Sequence, residues 1–314
     1  MLGVAWNSVR QPAIPPSAAL IFVLPACATF MAGGCSPSVD DLLQQETRES
    51  DPHQRIRILD RALELKPDPE WLKEIRLRRG WAWRDLGRYP EAADEFGRAI
   101  ETDENFHQAR DSLAWTLYYN LGERDRAKKE FSALIAASNV PKELVASAYN
   151  GLAEIHRSER DFDRALVLHE KGVAVSPTPV GLHNLAWLYN THRKDFAKAV
   201  ELCEKAIELE PSYDYGRVSL AVFLANKGDK ERAAAILARV GRFEPVMYGN
   251  LACYYAVLGN ADEALRYVKA DLKEYHVVAK KRNQERDYCL KDWHFDSVRG
   301  DPRFQDLMKK DPEQ

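Results

Sequence analysis

Cysteine is scarce in this chain, with five residues in 314 and no two of them in a CxxC spacing, so no cysteine framework organises it. A chain of this length buries enough apolar surface to form a core without cross-links, and Cys203, Cys253 and Cys289 read as small buried apolar residues. An excess of one charge is missing too: 45 Lys and Arg stand against 48 Asp and Glu, for a net charge of -3. That near balance removes the electrostatic term that dominates nucleic-acid binding and excludes DNA or RNA as the main partner. Catalytic signatures are absent, with no GxSxG, HExxH, Walker loop or GxGxxG. The eight histidines are scattered. His156 and His169 stand where packing residues are needed, and no pair of histidines has metal-ligand spacing with a third donor nearby. The reading is a protein that is not an enzyme, with no cofactor, no metal and no small-molecule substrate.

Long apolar runs are also missing, with one exception. Residues 1–34 carry a single charged side chain, Arg10, and Ala18 to Gly34 reads AALIFVLPACATFMAGG, the pattern of an export signal. A run of about 17 residues is at the lower limit for spanning a bilayer, and Pro25 interrupts it. Its end, Ala32-Gly33-Gly34-Cys35, resembles the lipobox of bacterial lipoproteins, although Ala32 stands where that family usually has Leu. The resemblance implies cleavage before Cys35, lipid attachment at Cys35, a tether over residues 35–38, and a membrane-anchored place in the bacterial cell envelope. Ordinary secretion into the periplasm or beyond, an uncleaved anchor, and a wrongly chosen start codon are the alternatives.

What the chain has in abundance is self-similarity. LRRGWAWRDLGRYPEAADEFGRAIETD from Leu77 is echoed from Asp111, Asn150, His183, Val218 and Gly249. In each copy a small residue (Gly80, Ala114, Ala153, Ala186, Ala221, Ala252) is followed by a turn and then by an alanine (Ala92, Ala127, Ala165, Ala199, Ala233, Ala264). Successive small residues lie 34, 39, 33, 35 and 31 positions apart. The small residues let two helices approach closely; Gly87, Gly228 and Gly259 suit helix ends that need positive φ; Pro177, Pro211 and Pro245 stop the second helices. This pattern resembles the tetratricopeptide repeat. The resemblance implies an all-α, right-handed superhelical solenoid of antiparallel helix pairs, with about six repeats over residues 73–268. Residues 39–72 are expected to form a degenerate N-terminal cap repeat. In residues 269–314, LKDWHFDSVRGDPRFQDLMKK resembles the end-of-group segment that closes some bacterial arrays, with Asp301-Pro302 starting a helix and Trp293, Phe295, Val298, Phe304 and Leu307 covering the last repeat.

In this family the first helix of each unit lines the concave face, and the residue after the small one points into it. That register nominates Trp81, Trp115 and Trp187 as partner-binding residues, with Tyr118, Tyr119, His183 and Tyr215 nearby. Two roles are open for them: packing between adjacent first helices, or an amphipathic platform for an extended peptide. Leu77, Trp81, Asp111 and Trp115 stand where a carboxylate clamp would carry Lys and Asn, which argues against that clamp. Lys280, Lys281, Arg282 and Arg286 read as a solvated helix face. The function implied is a protein-binding or peptide-binding adaptor held at the membrane by acylated Cys35; the alternative is an accessory subunit of an envelope enzyme or secretion complex. Substituting Cys35→Ser is expected to move the protein from the membrane fraction to the soluble fraction or to trap the precursor. A wild-type protein that is soluble with its leader intact would contradict the anchor.

Overall fold

A computed structural model describes residues 37–274, 285–287 and 289–309; the leader, Cys35, and the basic group Lys280, Lys281 and Arg282 lie outside them. Among the described residues there is no strand. The chain divides within one helix into two compact units, whose described parts are residues 37–155 and 156–309.

In the first unit α1 (Val39–Thr47) and α2 (Pro52–Glu64) form a helix pair around Leu42, Leu59 and Ala62. They are followed by α3 (Pro69–Asp85), α4 (Tyr89–Thr102), α5 (His107–Trp115), α6 (Arg124–Ala136) and α7 (Lys142–Ser158), which runs across the division. The array therefore begins at Pro69, a few residues ahead of the boundary at residue 73, because Asp68 accepts from the Trp71 amide and Pro69 takes the first turn. The second unit holds α8 (Phe162–Val175), α9 (Pro179–Leu188), α10 (Phe196–Leu209), α11 (Asp214–Lys227), α12 (Lys230–Leu237), α13 (Tyr248–Val257), α14 (Ala261–Glu274) and α15 (Pro302–Leu307). Asp301 caps α15 as its sequence implies.

The period of the sequence is visible in the caps. Asp161, Asp195 and Asp229, each 34 residues after the last, accept from the backbone amide three residues on and start α8, α10 and α12. The turn inside each of the six copies holds one residue at positive φ: Gly87, Gly122, Arg160, Lys194, Gly228 and Gly259. Arg160 and Lys194 take this conformation without being glycine, at a cost of about 1 kcal/mol each. One proline departs from its expected role. α12 ends at Leu237, well before Pro245, and Pro245 instead opens a 3-10 turn, Pro245–Met247, that leads into α13.

The packing follows the template. All eleven template alanines are fully buried, and at the one glycine among the small positions an added Cβ would lie 2.4 Å from the Phe96 ring. Twelve residues separate small residue and alanine in four copies, but thirteen separate Ala114 from Ala127 and Ala186 from Ala199. Those two first helices end in π-helical turns, Thr116–Leu121 after α5 and Tyr189–Arg193 after α9. A π turn takes up one residue more than an α turn, so the extra residue is absorbed without moving either packing contact.

Gly80→Ala should destabilise the protein by about 1–3 kcal/mol, since the Phe96 ring fills the space a methyl would need. Adding Phe96→Leu should recover part of that loss in urea unfolding. Additive effects of the two substitutions would show that the close contact is not what the glycine serves.

Candidate partner-binding faces

In the first unit the two nominated tryptophans tie successive first helices together. Trp81 on α3 donates its Nε1–H to Ser112 Oγ on α5 at 3.1 Å, and Trp115 on α5 donates to Ser147 Oγ on α7 at 2.8 Å. Ser147 donates in turn to Asp111 Oδ1 at 2.7 Å. Tyr118 lies in the π turn and donates to the Glu154 carbonyl at 3.0 Å. Trp115 and Tyr118 are therefore buried, which corrects their placing on an open wall: an indole N–H or a phenol in a packed helix interface finds its partner there. Trp81 is half-buried. Tyr119 is 37% exposed and stacks on Trp115, with ring centroids 5.2 Å apart and planes 9° from parallel. One turn after Trp81 stands Arg84, which sequence reasoning did not single out. Its half-buried guanidinium makes no hydrogen bond or ion pair among the described residues. Burial lowers its pKa from the usual value, against the opposing charges of Asp85 and Asp111.

The second unit presents the same row differently. His183 is fully buried, and its Nε2 accepts from Trp187 Nε1 at 2.9 Å and lies 2.8 Å from Ser219 Oγ. An indole can only donate, so Nε2 is the bare nitrogen and Nδ1 carries the hydrogen. Tyr215 is buried beside it, with ring centroids 5.0 Å apart, and Trp187 is half-buried with its ring edge-on to Phe223. His183 and Tyr215 are thus core residues in the structure rather than exposed contacts, since three aromatic rings and a serine enclose the imidazole.

Part of this row is covered by the chain's own C-terminal segment. A 3-10 turn, Trp293–Phe295, places His294 6.0 Å from the Trp187 ring. His294 Nε2 lies 3.3 Å from Asn190 Nδ2 and 3.1 Å from Asn226 Nδ2, while its Nδ1 meets Asp292 Oδ1 at 2.6 Å. Asp292 faces Cys253 on α13, the residue that follows Ala252 as Trp187 follows Ala186. Ser297 donates to the Ala256 carbonyl at 2.6 Å, and Lys194 Nζ sits 3.1 Å from the centroid of Trp293. The segment therefore does more than end the stack: it lies across the first-helix row of three copies. It also brings together a group with a single histidine that spacing along the chain does not reveal, because Cys253, Asp292 and His294 meet from distant stretches of sequence. The thiols are poor nucleophile candidates, since burial pushes Cys203, Cys253 and Cys289 up from the usual thiol range.

Antiparallel helix pairs of near-constant length, joined at a small residue and an alanine, define a helical-repeat protein. Two family models described as tetratricopeptide repeat match residues 113–174 and 191–246; the chain carries tetratricopeptide repeats. No curated protein matches it. Among solved structures it is similar to a tetratricopeptide repeat protein from Parabacteroides merdae, at 14% identity and TM-score 0.57 over 79% of this chain and 98% of that one. It is also similar to yeast Tom70, at 21% identity and TM-score 0.55 over 78% of this chain and 50% of that one. Pseudomonas aeruginosa PilF matches at 16% identity and TM-score 0.50 over 71% of this chain and all of that one. At these identities the likeness is one of fold.

The buried Asp111, hydrogen-bonded by Ser147, gives the first unit a pH dependence. Burial raises the Asp111 carboxyl from 3.8 to about 6, against the hydrogen bonds from Ser147 and Trp115 and the charge of Arg84. The native state then holds this proton to higher pH than the unfolded chain, so stability falls as pH rises between those values, by on the order of 3 kcal/mol once the group is ionised. In urea unfolding from pH 4 to pH 7 the Asp111→Asn protein should lack this decline. Equal slopes for variant and wild type would show that Asp111 ionises freely in the fold.

Proposed function

We propose that this protein is a non-enzymatic scaffold that takes an extended acidic peptide of a partner protein on the first-helix face of residues 37–155, through Trp81, Arg84 and Tyr119. The observation that carries the reading is Arg84, a half-buried guanidinium without a hydrogen-bonded partner among the described residues; at the end of the next first helix an exposed tyrosine stacks on a tryptophan. A desolvated cation is costly until a carboxylate engages it, and a planar guanidinium accepts a carboxylate in a bidentate fork. Aromatic rings and arginine are the side chains that most often carry binding energy at such faces. The tetratricopeptide repeats support the scaffold role, and in this reading the scaffold is held in the bacterial cell envelope by a lipid on Cys35, for which the residues ending at Cys35 are the support.

Selection from a random peptide library tests the chemistry without knowledge of the natural partner. The wild-type protein should enrich peptides rich in Asp and Glu with an aromatic or aliphatic residue among them, and binding should weaken with salt. Arg84→Gln should bind the selected peptides about tenfold more weakly and lose most of the salt dependence; Tyr119→Ala should cost about 1–2 kcal/mol with helix content unchanged. Peptides selected without acidic residues, or bound equally by both variants, would refute the site.

A further inference from the structure

The contact between the C-terminal segment and α13 gathers three side chains of metal-ligating type. Cys253 Sγ, a carboxylate oxygen of Asp292 and a ring nitrogen of His294 lie within 4.8 Å of one another, and all three residues are buried. Glu285 and Cys289 of the same C-terminal segment are also buried. In sequence the C-terminal donors follow one another as Glu285-x3-Cys289-x2-Asp292-x-His294, four donors within ten residues, and Cys253 is brought to them by the fold.

We propose that Cys253, Asp292 and His294 bind a divalent transition-metal ion, zinc above all, which fastens the C-terminal segment to α13. Thiol, imidazole and carboxylate together suit zinc and disfavour calcium and magnesium, which take oxygen ligands. A cluster of buried acids and thiols is expensive as anions in a low-dielectric interior, and a dication reverses that cost by holding the cysteine as thiolate. The protons balance simply. The Cys253 thiol proton is released to solvent as the sulfur–metal bond forms. The imidazole keeps one proton, which leaves Nδ1 for Nε2 so that Nδ1 can bind the ion. Nε2–H then needs an acceptor, and Asn190 and Asn226 stand at 3.3 and 3.1 Å; turning one side-chain amide presents its carbonyl oxygen there. Such an oriented second partner is the usual companion of a metal-bound histidine. A water molecule completes the tetrahedral site.

The test uses the full-length protein, stripped with a chelator and titrated with Co²⁺ as the spectroscopic probe, with metal content measured in parallel after reconstitution with Zn²⁺. The expected result is one equivalent of metal per chain, a thiolate-to-cobalt charge-transfer band with tetrahedral d–d absorption, displacement of both by Zn²⁺, and release of about one proton per ion at neutral pH. Cys253→Ser and His294→Gln should each weaken binding at least tenfold, while Cys203→Ser, a buried cysteine elsewhere in the unit, should leave the spectrum unchanged. A folded wild-type protein with no thiolate–cobalt band overturns the proposal whatever the variants do. A band of full intensity in folded Cys253→Ser and His294→Gln also overturns it, because the ion would then sit elsewhere.

Discussion

The close crossing of two helices at a small residue is the contact on which the rest of this protein depends. Where Gly80 meets Phe96 there is no room for a methyl group, and the alanines at the corresponding places are all fully buried. Fixing that crossing fixes the length of the turn that follows it, which explains why each turn needs one residue at positive φ and why Arg160 and Lys194 accept a strained conformation when glycine is absent. It also explains the two π turns, because an extra residue between fixed contacts has to be taken up by the helix end. One of these turns carries Tyr118 and Tyr119 and the other carries Asn190, so the extra residues shape the very row that could meet a partner.

Within that row the two units have taken different courses. In residues 37–155 the tryptophans satisfy their N–H groups on serines of the next first helix, leaving a tyrosine ring and an arginine at the surface. In residues 156–309 the same position carries Trp187 and Cys253 in two copies, and the chain's own Asp292–Ser297 lies over them. A repeat array must bury its terminal apolar face, and this chain does so with residues that reach back across three copies.

The sequence made the helix pairs legible because their periodicity is strong and local: small residue, turn glycine and alanine recur at nearly fixed spacing. Capping aspartates were equally readable, as Asp301-Pro302 shows. What could not be read was whatever depends on contacts between distant segments. Nothing around Trp115 announces that Ser147 will receive its N–H, so its burial emerges only from the packed helices, and the same is true of His183 between Trp187, Ser219 and Tyr215. The encounter of Cys253 with Asp292 and His294 spans about forty residues of sequence, and Arg84 stands out only once the structure shows that neighbouring arginines such as Arg55, Arg76 and Arg78 have carboxylate partners. Pro245 was misread because proline opens a short helix as readily as it closes a long one.

The central claim is that partner proteins use the first-helix row of residues 37–155 and not its counterpart in residues 156–309. Site-specific photo-crosslinking measures this most directly, with a photoreactive amino acid placed at Tyr119 in one protein and at Trp187 in another, each irradiated in the cells that make it. The account predicts a discrete partner adduct from position 119 and none from position 187. Adducts from position 187 alone would contradict it.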